Sequence, residues 1–296
     1  MIRIGLIGSD NSHADRYSEL CNLPDDPKLK DQQVPDAKVV ALFGIPEHAE
    51  RTKEVSTKYK IPVVGSPEEM VGKVDLAICV FRKGSLHAKW SLPVIKAGVP
   101  IYVDKPFASS TADARAMLKA ADKAGTAITS MSSFRVAQST LAFKAEMEKV
   151  APVTYGISIG PGDRKSENDG LIFYGIHAVE VMLACFGHGV KDVRAVDQNN
   201  NIVATVTYPD DRIVTLTFIG NAQYVFRCCA FGKKGQAQYV PGTGSYYRDA
   251  LVSVIEMAKT RKRPLTNEQM LEQVQVFEAI EKSLNTNGAA ARPADF

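Results

Sequence analysis

Short apolar runs alternate with helical stretches through the first half of the chain, and this alternation limits the fold more than any other feature. The apolar runs are "IRIGLI" (2–7), "KVVALFG" (38–44), "IPVV" (61–64), "VDLAICV" (74–80) and "PIYVD" (100–104). Runs that are continuously apolar are typical of parallel strands that helices cover on both faces. The sequence therefore predicts an α/β domain over residues 1–126, built on a Rossmann-like, doubly wound parallel sheet.

The pattern changes after about Ala151. Segments such as "VTYGISIG", "IVATVTY" and "RIVTLTFIG" alternate apolar with polar residues, which indicates a sheet with one solvated face. A helix, "YGIHAVEVMLACFG", lies within this part of the chain, and two more helices start near Tyr246 and Thr266. We predict an α+β domain over residues 127–296 that carries an open, mainly antiparallel sheet and binds substrate.

Composition excludes some classes of partner. The 296 residues have a formal net charge of only +3 and no arginine-rich stripe, so no nucleic-acid partner is expected. No apolar stretch approaches the length of a membrane span, so no membrane partner is expected either. The first strand starts at Ile2 and the 5 cysteines show no C-x-x-C spacing, so we expect a cytoplasmic protein with reduced thiols.

Ligands of a doubly wound sheet bind beyond the carboxyl ends of its strands, and the first strand ends in "GSDNSH". A dinucleotide fingerprint has small residues where this chain has Asp10 and His13. An unpaired carboxylate would repel a pyrophosphate, so we expect Asp10, Asn11 or Ser12 to cap the following helix. Ser12 and His13 would then offer donors to the phosphates. The candidate cofactor-binding residues of this turn are Gly8, Ser9, Asp10, Asn11, Ser12 and His13.

Gly44 ends the second strand, where an acidic side chain usually holds the ribose hydroxyls of NAD. Its absence favours NADP over NAD. His48, Arg51 and Lys53 could pair with the additional phosphate, or they could be solvated charges on a helix. Three further cofactor-binding candidates follow the fourth apolar run: Arg82, Lys83 and His87.

Lys105 follows the fifth apolar run and therefore lies at the same edge of the sheet. Pro106 restricts Lys105 to an extended backbone, so its side chain can point into the crevice. A lysine placed there can donate to a substrate hydroxyl or carbonyl, and burial would lower its pKa. The alternative is a solvated surface lysine.

Several motifs in this order resemble the Gfo/Idh/MocA oxidoreductase family. A Rossmann domain is followed by a strand-ending [ED]-K-P motif, here "DKP", and by a G-x-H-x-x-[DE] helix before an open sheet. The similarity runs over nearly the whole chain, including "DKPFASSTADARAMLKAADKAG" and "RDALVSVIEMAKTRKRPLTNEQML". It implies an enzyme that binds NAD or NADP, with NADP slightly favoured.

The resemblance also implies roles for two residues. Lys105 matches the lysine that approaches both nicotinamide and substrate, and His177 matches the histidine that acts as general acid or base on the substrate. Glu180 could orient His177, or it could simply favour the start of the helix. Phe173 replaces an aspartate of many family members, and the adjacent Tyr174 could supply a hydroxyl in its place.

Further candidates would select the substrate. Arg135 lies where the family often has an aromatic–arginine pair, and Asp163 and Arg164 belong to the polar loop "GPGDRKSENDG". His177 is also a substrate candidate. Nothing in the spacing of histidine, cysteine and acidic residues is a metal signature, so no metal is expected.

These features predict an NAD(P)-dependent dehydrogenase that acts on a secondary alcohol of a sugar, cyclitol or related polyol. We also expect a homodimer or homotetramer that forms through the exposed face of the C-terminal sheet. Two alternatives remain open. One is a lyase, isomerase or hydrolase that uses Lys105 and His177. The other is a catalytically silent ligand-binding protein that has lost its dinucleotide.

Overall fold

A computed structural model describes residues 1–23, 26–29, 32–239 and 245–296. The chain forms two compact units. Unit 1 comprises Met1–Ala108, Ala112–Met131 and Ser245–Asn267, and unit 2 comprises Ser109–Thr111, Ser132–Gly244 and Glu268–Phe296.

The strands of the described residues are β1 (Ile2–Ile7), β2 (Ala37–Phe43), β3 (Leu76–Cys79), β4 (Ile101–Val103), β5 (Ile128–Thr129), β6 (Val153–Pro161), β7 (Asp192–Gln198), β8 (Asn201–Thr207), β9 (Ile213–Ile219), β10 (Arg227–Gly232) and β11 (Gly235–Tyr239). The α-helices are α1 (Ser12–Asn22), α2 (Ala49–Tyr59), α3 (His87–Lys96), α4 (Thr111–Ala124), α5 (Gln138–Val150), α6 (Ile172–Phe186), α7 (Tyr246–Thr260) and α8 (Asn267–Asn285).

Unit 1 is built on a parallel sheet with the strand order β2-β1-β3-β4-β5. All four residues of β3 are buried, as expected for a strand covered on both faces. The predicted strand "IPVV" is wrong in detail, because it makes only an isolated parallel bridge between Val63 and Leu42. A prolyl nitrogen, here that of Pro62, cannot donate a ladder hydrogen bond, which explains why the run does not extend the sheet.

Unit 2 is built on a six-stranded sheet with the order β11-β10-β6-β9-β8-β7. All of its pairs are antiparallel except β6 with β9. On β8, Ile202, Ala204 and Val206 are fully buried, whereas Val203 between them is 39% exposed. One face of the sheet therefore belongs to the core and the other is open. Both predicted classes of sheet are confirmed.

The two compact units cross the expected division of the chain, since Ser109–Thr111 belongs to unit 2 and Ser245–Asn267 to unit 1. The helix α7 belongs to unit 1, although the sequence predicts a second domain that runs without interruption to residue 296. The boundary between residues 126 and 127 remains a prediction about domains. None of the helices in the described parts of the chain is both long and apolar enough to cross a membrane.

Candidate functional site

The turn after β1 depends on a glycine. Gly8 has a φ of +105°, and a Cβ atom there would lie 2.9 Å from the backbone nitrogen of Phe81. Any other residue would therefore be both strained and crowded. The turn leads into α1, which begins at Ser12 shortly after the carboxyl end of β1.

Asn11, rather than Asp10 or Ser12, caps this helix. Its Oδ1 accepts from the His13 amide at 2.7 Å, and its Nδ2 donates to the Val80 carbonyl. The Asp10 carboxylate instead accepts from the backbone amide of Arg82 at 3.1 and 3.2 Å. The Arg82 guanidinium in turn donates to the Asp10 carbonyl at 2.8 Å. The structure thus fixes the acid against Arg82.

The space beside Gly44 is filled by Thr52. A Cβ atom on Gly44 would lie 1.9 Å from Thr52 Oγ1, and this hydroxyl is also 2.8 Å from the buried Ser9 hydroxyl. The absence of an acidic residue at position 44 thus has a structural reason, because Thr52 of α2 occupies the space where a side chain at that position would begin. Arg51 forms ion pairs with Asp15 and Glu54, so its charge is already balanced within the unit.

The side chain of His87 lies in the core of unit 1. It is fully buried, and its Nε2 donates to the Phe81 carbonyl at 2.7 Å. Burial lowers the pKa of His87, which favours the neutral form of the ring. It therefore anchors the backbone that precedes Arg82 and Lys83 and is not placed to contact a ligand itself.

Lys105 is buried at the carboxyl end of β4, with only 7% of its surface exposed. Burial lowers the pKa of Lys105, Asp104 opposes this effect, and Arg82 adds to it. The fully solvated lysine of the alternative interpretation is therefore excluded. A lysine in this environment is closer to exchanging a proton near neutral pH than a solvated one.

Asp104, which precedes it, forms a buried hydrogen-bonded pair with His13. The His13 Nδ1 atom contacts Asp104 Oδ2, and the His13 Nε2 atom lies 3.0 Å from the Tyr247 hydroxyl. Burial alone would raise the pKa of Asp104, but the interactions with His13 and Lys105 outweigh it and hold the pKa at about 2. The His13 side chain therefore points towards Asp104 and Tyr247.

In unit 2, the His177 ring is oriented by a serine. The Ser132 hydroxyl lies 2.7 Å from His177 Nδ1, and the rings of Phe134 and Phe226 flank the imidazole with centroids at 5.0 and 5.8 Å. His177 is 8% exposed. The contact with Ser132 orients the ring through its Nδ1 atom.

Glu180 supports this arrangement indirectly. Its Oε1 accepts from the Ser132 amide at 3.1 Å, and its Oε2 pairs with Arg135 at 2.8 Å. Burial raises the pKa of Glu180, although Arg135 acts in the opposite direction. Arg135 also donates to His188 at 2.7 Å, and His188 contacts Glu272 at 2.6 Å. Glu180 and His177 thus share Ser132 as a common neighbour, which supports the first of the two roles considered for Glu180.

The polar loop places its two candidates apart. Asp163 lines a cavity of about 140 Å³ together with Phe173, Tyr174 and Tyr224. Arg164 instead pairs with Glu281 at 2.7 Å and lines a different cavity. The structure therefore brings Asp163 and Tyr174 together and leaves Arg164 outside that group.

Sequence reasoning did not find Ser132 or Tyr247, and it gave Asp104 no role. Ser132 precedes the "SFR" segment, but a serine near a turn carries no specific signal. Asp104 and Tyr247 lie 91 and 234 positions from His13 along the chain. Only the "DKP" motif marked Asp104 as close to a site.

The chain is similar to known oxidoreductases. Residues 2–131 match a family model described as "Oxidoreductase family, NAD-binding Rossmann fold". An inositol 2-dehydrogenase from Acidiphilium cryptum is 28% identical over 120 residues, which are 40% of this chain and 33% of that protein. The match thus spans about a third of the relative's length.

Solved structures share the fold over almost the whole chain. The myo-inositol dehydrogenase of Lactobacillus casei, crystallised with NAD(H) and myo-inositol, is 14% identical with a TM-score of 0.83, covering 99% of this chain and 96% of that one. An aldose-aldose oxidoreductase from Caulobacter crescentus, complexed with glycerol, is 18% identical with a TM-score of 0.78, covering 98% and 99%. At these identities the likeness establishes the fold alone.

Proposed function

We propose that the chain, whose residues 2–131 match the family model and whose motifs resemble the Gfo/Idh/MocA oxidoreductases, is an NAD(P)-dependent dehydrogenase. It moves hydride between the nicotinamide and a secondary alcohol of a sugar, cyclitol or related polyol. The observation that carries this proposal is the buried Lys105 at the carboxyl edge of a family-type Rossmann sheet. The inositol dehydrogenases among the similar proteins support the substrate class.

The residues after β1 fit a dinucleotide. Gly8 allows the tight turn into α1, and helix geometry leaves first-turn amides available beyond the one that Asn11 caps. The Asp10 carboxylate is held by the Arg82 amide, and the exposed Arg82 guanidinium offsets its charge. The pyrophosphate would bind to this turn, from Gly8 to Ser12, and the bound nicotinamide would supply the hydride acceptor or donor.

Two side chains would handle the substrate oxygen. Lys105, with its pKa lowered by burial, donates a hydrogen bond or a proton to that oxygen. His177, held by Ser132, acts as acid or base through Nε2. Both assignments follow the family resemblance, and the burial of each residue supports them.

The aromatic cavity beside α6 is our candidate for the substrate-selecting surface. Asp163 would accept from substrate hydroxyls, while Tyr174 offers a hydroxyl and an apolar ring. Arg135 and Arg164 remain weaker candidates, because Glu180 and Glu281 already hold their guanidinium groups.

A cofactor titration tests the proposal. We expect saturating NADP to raise the Tm by several degrees, since a ligand at one hundred times its Kd adds about 2.7 kcal/mol of stability. NADP should stabilise at least as strongly as NAD, because Gly44 offers no acid to a ribose hydroxyl. A firm preference for NAD would contradict this account of Gly44. No shift with any of the four oxidised and reduced dinucleotides would favour the silent ligand-binding protein.

Asp10→Gly provides a matched variant for the same titration. It removes the carboxylate and restores a fingerprint glycine, and Asn11 still caps α1. Dinucleotide affinity should rise or stay unchanged. A loss of turnover at unchanged affinity would place Asp10 in the chemistry and would favour the lyase or hydrolase alternative.

We also propose that two copies associate through the open face of the unit 2 sheet. Val196, Val203 and Ile213 are 60%, 39% and 39% exposed there, and the rings of Tyr155 and Phe231 stack at 5.7 Å. Such an apolar face is costly to leave in water. Sedimentation equilibrium should give a dimer or tetramer that Val203→Asp weakens, and a monomeric native protein would contradict the proposal.

A further inference from the structure

Unit 1 contains a series of three polar side chains that the proposed function leaves unused. Asp104, His13 and Tyr247 form it in this order: the carboxylate contacts Nδ1 of the imidazole, and Nε2 lies 3.0 Å from the phenol hydroxyl. They come from the end of β4, the first turn of α1 and the first turn of α7. Three separate elements thus converge on one imidazole.

The direction of the hydrogen bonds follows from the ionised carboxylate. Asp104 has a pKa of about 2, so at neutral pH it can only accept, and Nδ1–H of His13 is the donor. A neutral imidazole then has its lone pair on Nε2, and the Tyr247 hydroxyl must donate to it. An acid that orients an imidazole, which in turn takes a proton from a hydroxyl, is the general arrangement of an activated side chain.

The series of Asp104, His13 and Tyr247 also lies near the edge of the sheet where a ligand is expected to bind. Asp104 is 1% and His13 is 8% exposed, whereas Tyr247 is half-buried. The phenol is therefore the member that can meet a ligand. The series ends at the residue before Lys105, at the sheet edge where a doubly wound fold binds its ligands.

Ring contacts hold the phenol in position. The His13 and Tyr247 rings are 5.0 Å apart and nearly perpendicular, and Tyr17 contacts both. The Tyr246 ring also contacts the Tyr247 ring, with a centroid separation of 4.7 Å. A side chain fixed in this way loses little freedom when it acts on a ligand.

We propose that Tyr247 is a catalytic residue that exchanges a proton with the substrate oxygen, with His13 and Asp104 as positioning residues. The proposal rests on the proposed dehydrogenase function and assigns the proton transfer to Tyr247, so that Lys105 and His177 hold the substrate oxygen by hydrogen bonds. During alcohol oxidation, a bound nicotinamide would accept the carbinol hydrogen as hydride, and the substrate C–O bond would become a carbonyl. The hydroxyl proton passes to the Tyr247 oxygen as the phenol proton passes to His13 Nε2. The Asp104 carboxylate stabilises the imidazolium that results, and reduction reverses each transfer.

The decisive variant is Tyr247→Phe, which keeps the ring contacts and removes only the hydroxyl. We expect kcat to fall at least about a hundredfold, as is usual for a lost acid or base, with dinucleotide affinity and Tm close to those of the wild type. Tyr246→Phe is the matched control and should keep turnover within about threefold. Wild-type kcat in Tyr247→Phe, or a lower Tm with unchanged kcat for the folded fraction, would overturn the proposal.

The positioning residues have a separate signature in the pH profile. Asp104, Tyr17 and Tyr247 face the His13 ring, Tyr102 and Lys105 face Asp104, and Arg16 lies over the Tyr247 ring. A protonated Nε2 cannot accept from the Tyr247 hydroxyl, so kcat/KM for oxidation should fall on the acid side of its profile. In His13→Gln this acid limb should disappear and kcat should fall at least tenfold. An unchanged acid limb would overturn the role of His13.

A measurement without cofactor separates this proposal from the proposed function. In protein labelled with ¹³Cζ-tyrosine, the signal that Tyr247→Phe removes should shift in His13→Gln and in Asp104→Asn. A signal that does not move in either variant would overturn the series whatever the enzyme does. If the wild type binds no dinucleotide, the proposed function fails and the catalytic role of Tyr247 fails with it. If the wild type binds and turns over but Tyr247→Phe keeps wild-type kcat, only the inference fails.

Discussion

Lys105→Ala is expected to lower kcat/KM at least about a hundredfold, which corresponds to about 2.7 kcal/mol of transition-state stabilisation. The reason is the placement of the ammonium group, which is buried at the sheet edge with its pKa lowered by that burial. Steady-state kinetics with the best substrate from a panel of inositols and aldoses would measure the change.

Lys96→Ala is the control for this experiment. Lys96 is an exposed lysine of α3 in the same unit, so its loss should leave kcat/KM unchanged. The Tm of Lys105→Ala should stay near that of the wild type, because the buried ammonium already carries a desolvation cost. Turnover near the wild-type level in Lys105→Ala would remove this residue from the mechanism.

Arg135→Ala should produce the largest loss of stability, about 3–5 kcal/mol, because it leaves a buried carboxylate without its partner. The side chains of Arg135 and Glu180 are 10% and 0% exposed. Urea unfolding followed by a probe in unit 2 would measure the loss. Arg164→Ala is the matched control, since its pair with Glu281 is about one-third exposed on each side and should contribute no more than about 1 kcal/mol.

The stability of Arg135→Ala should also depend on pH in a defined direction. Without Arg135, the folded-state pKa of Glu180 rises further above its unfolded value, so the native state binds a proton that the unfolded state has already released. The stability of the variant therefore falls as the pH rises from about 4.5 through the raised pKa. The free energy of unfolding of Arg135→Ala should therefore fall less far below that of the wild type at pH 5 than at pH 8. A deficit that is small at both values would contradict the assigned burial of the pair.

The two sheets could be predicted from the sequence because the spacing of apolar residues along a strand can be seen within a few neighbouring residues. Continuous apolar runs such as residues 74–80 and alternating runs such as residues 202–208 become β3 and β8. Short strands are less visible: β5 has only two residues and was not predicted, and "IPVV" has strand composition without forming a ladder. Local composition does not report which partner a segment will meet.

The candidate site shows the same limit. Lys105 and His177 could be named because motifs mark them, although their catalytic roles remain predictions. The cap of α1 could not be assigned, because Asp10, Asn11 and Ser12 are all good capping residues and the choice depends on Arg82 and Val80, about seventy positions away. Contacts of this kind, like that between His13 and Tyr247, arise from tertiary packing alone.

The return of the chain to unit 1 has a consequence for its synthesis. The segment Ser245–Asn267 leaves the ribosome only after all of Ser132–Gly244, which belongs to the other unit. During that interval α7 has not yet emerged, so the surface of α1 around Tyr17 lacks the contact with Tyr247 that it has in the complete fold. Domains normally complete folding in the order of their synthesis, and here the first unit to emerge must wait for the second. A fragment that ends at Met131 would therefore represent a stage of biogenesis rather than a finished domain.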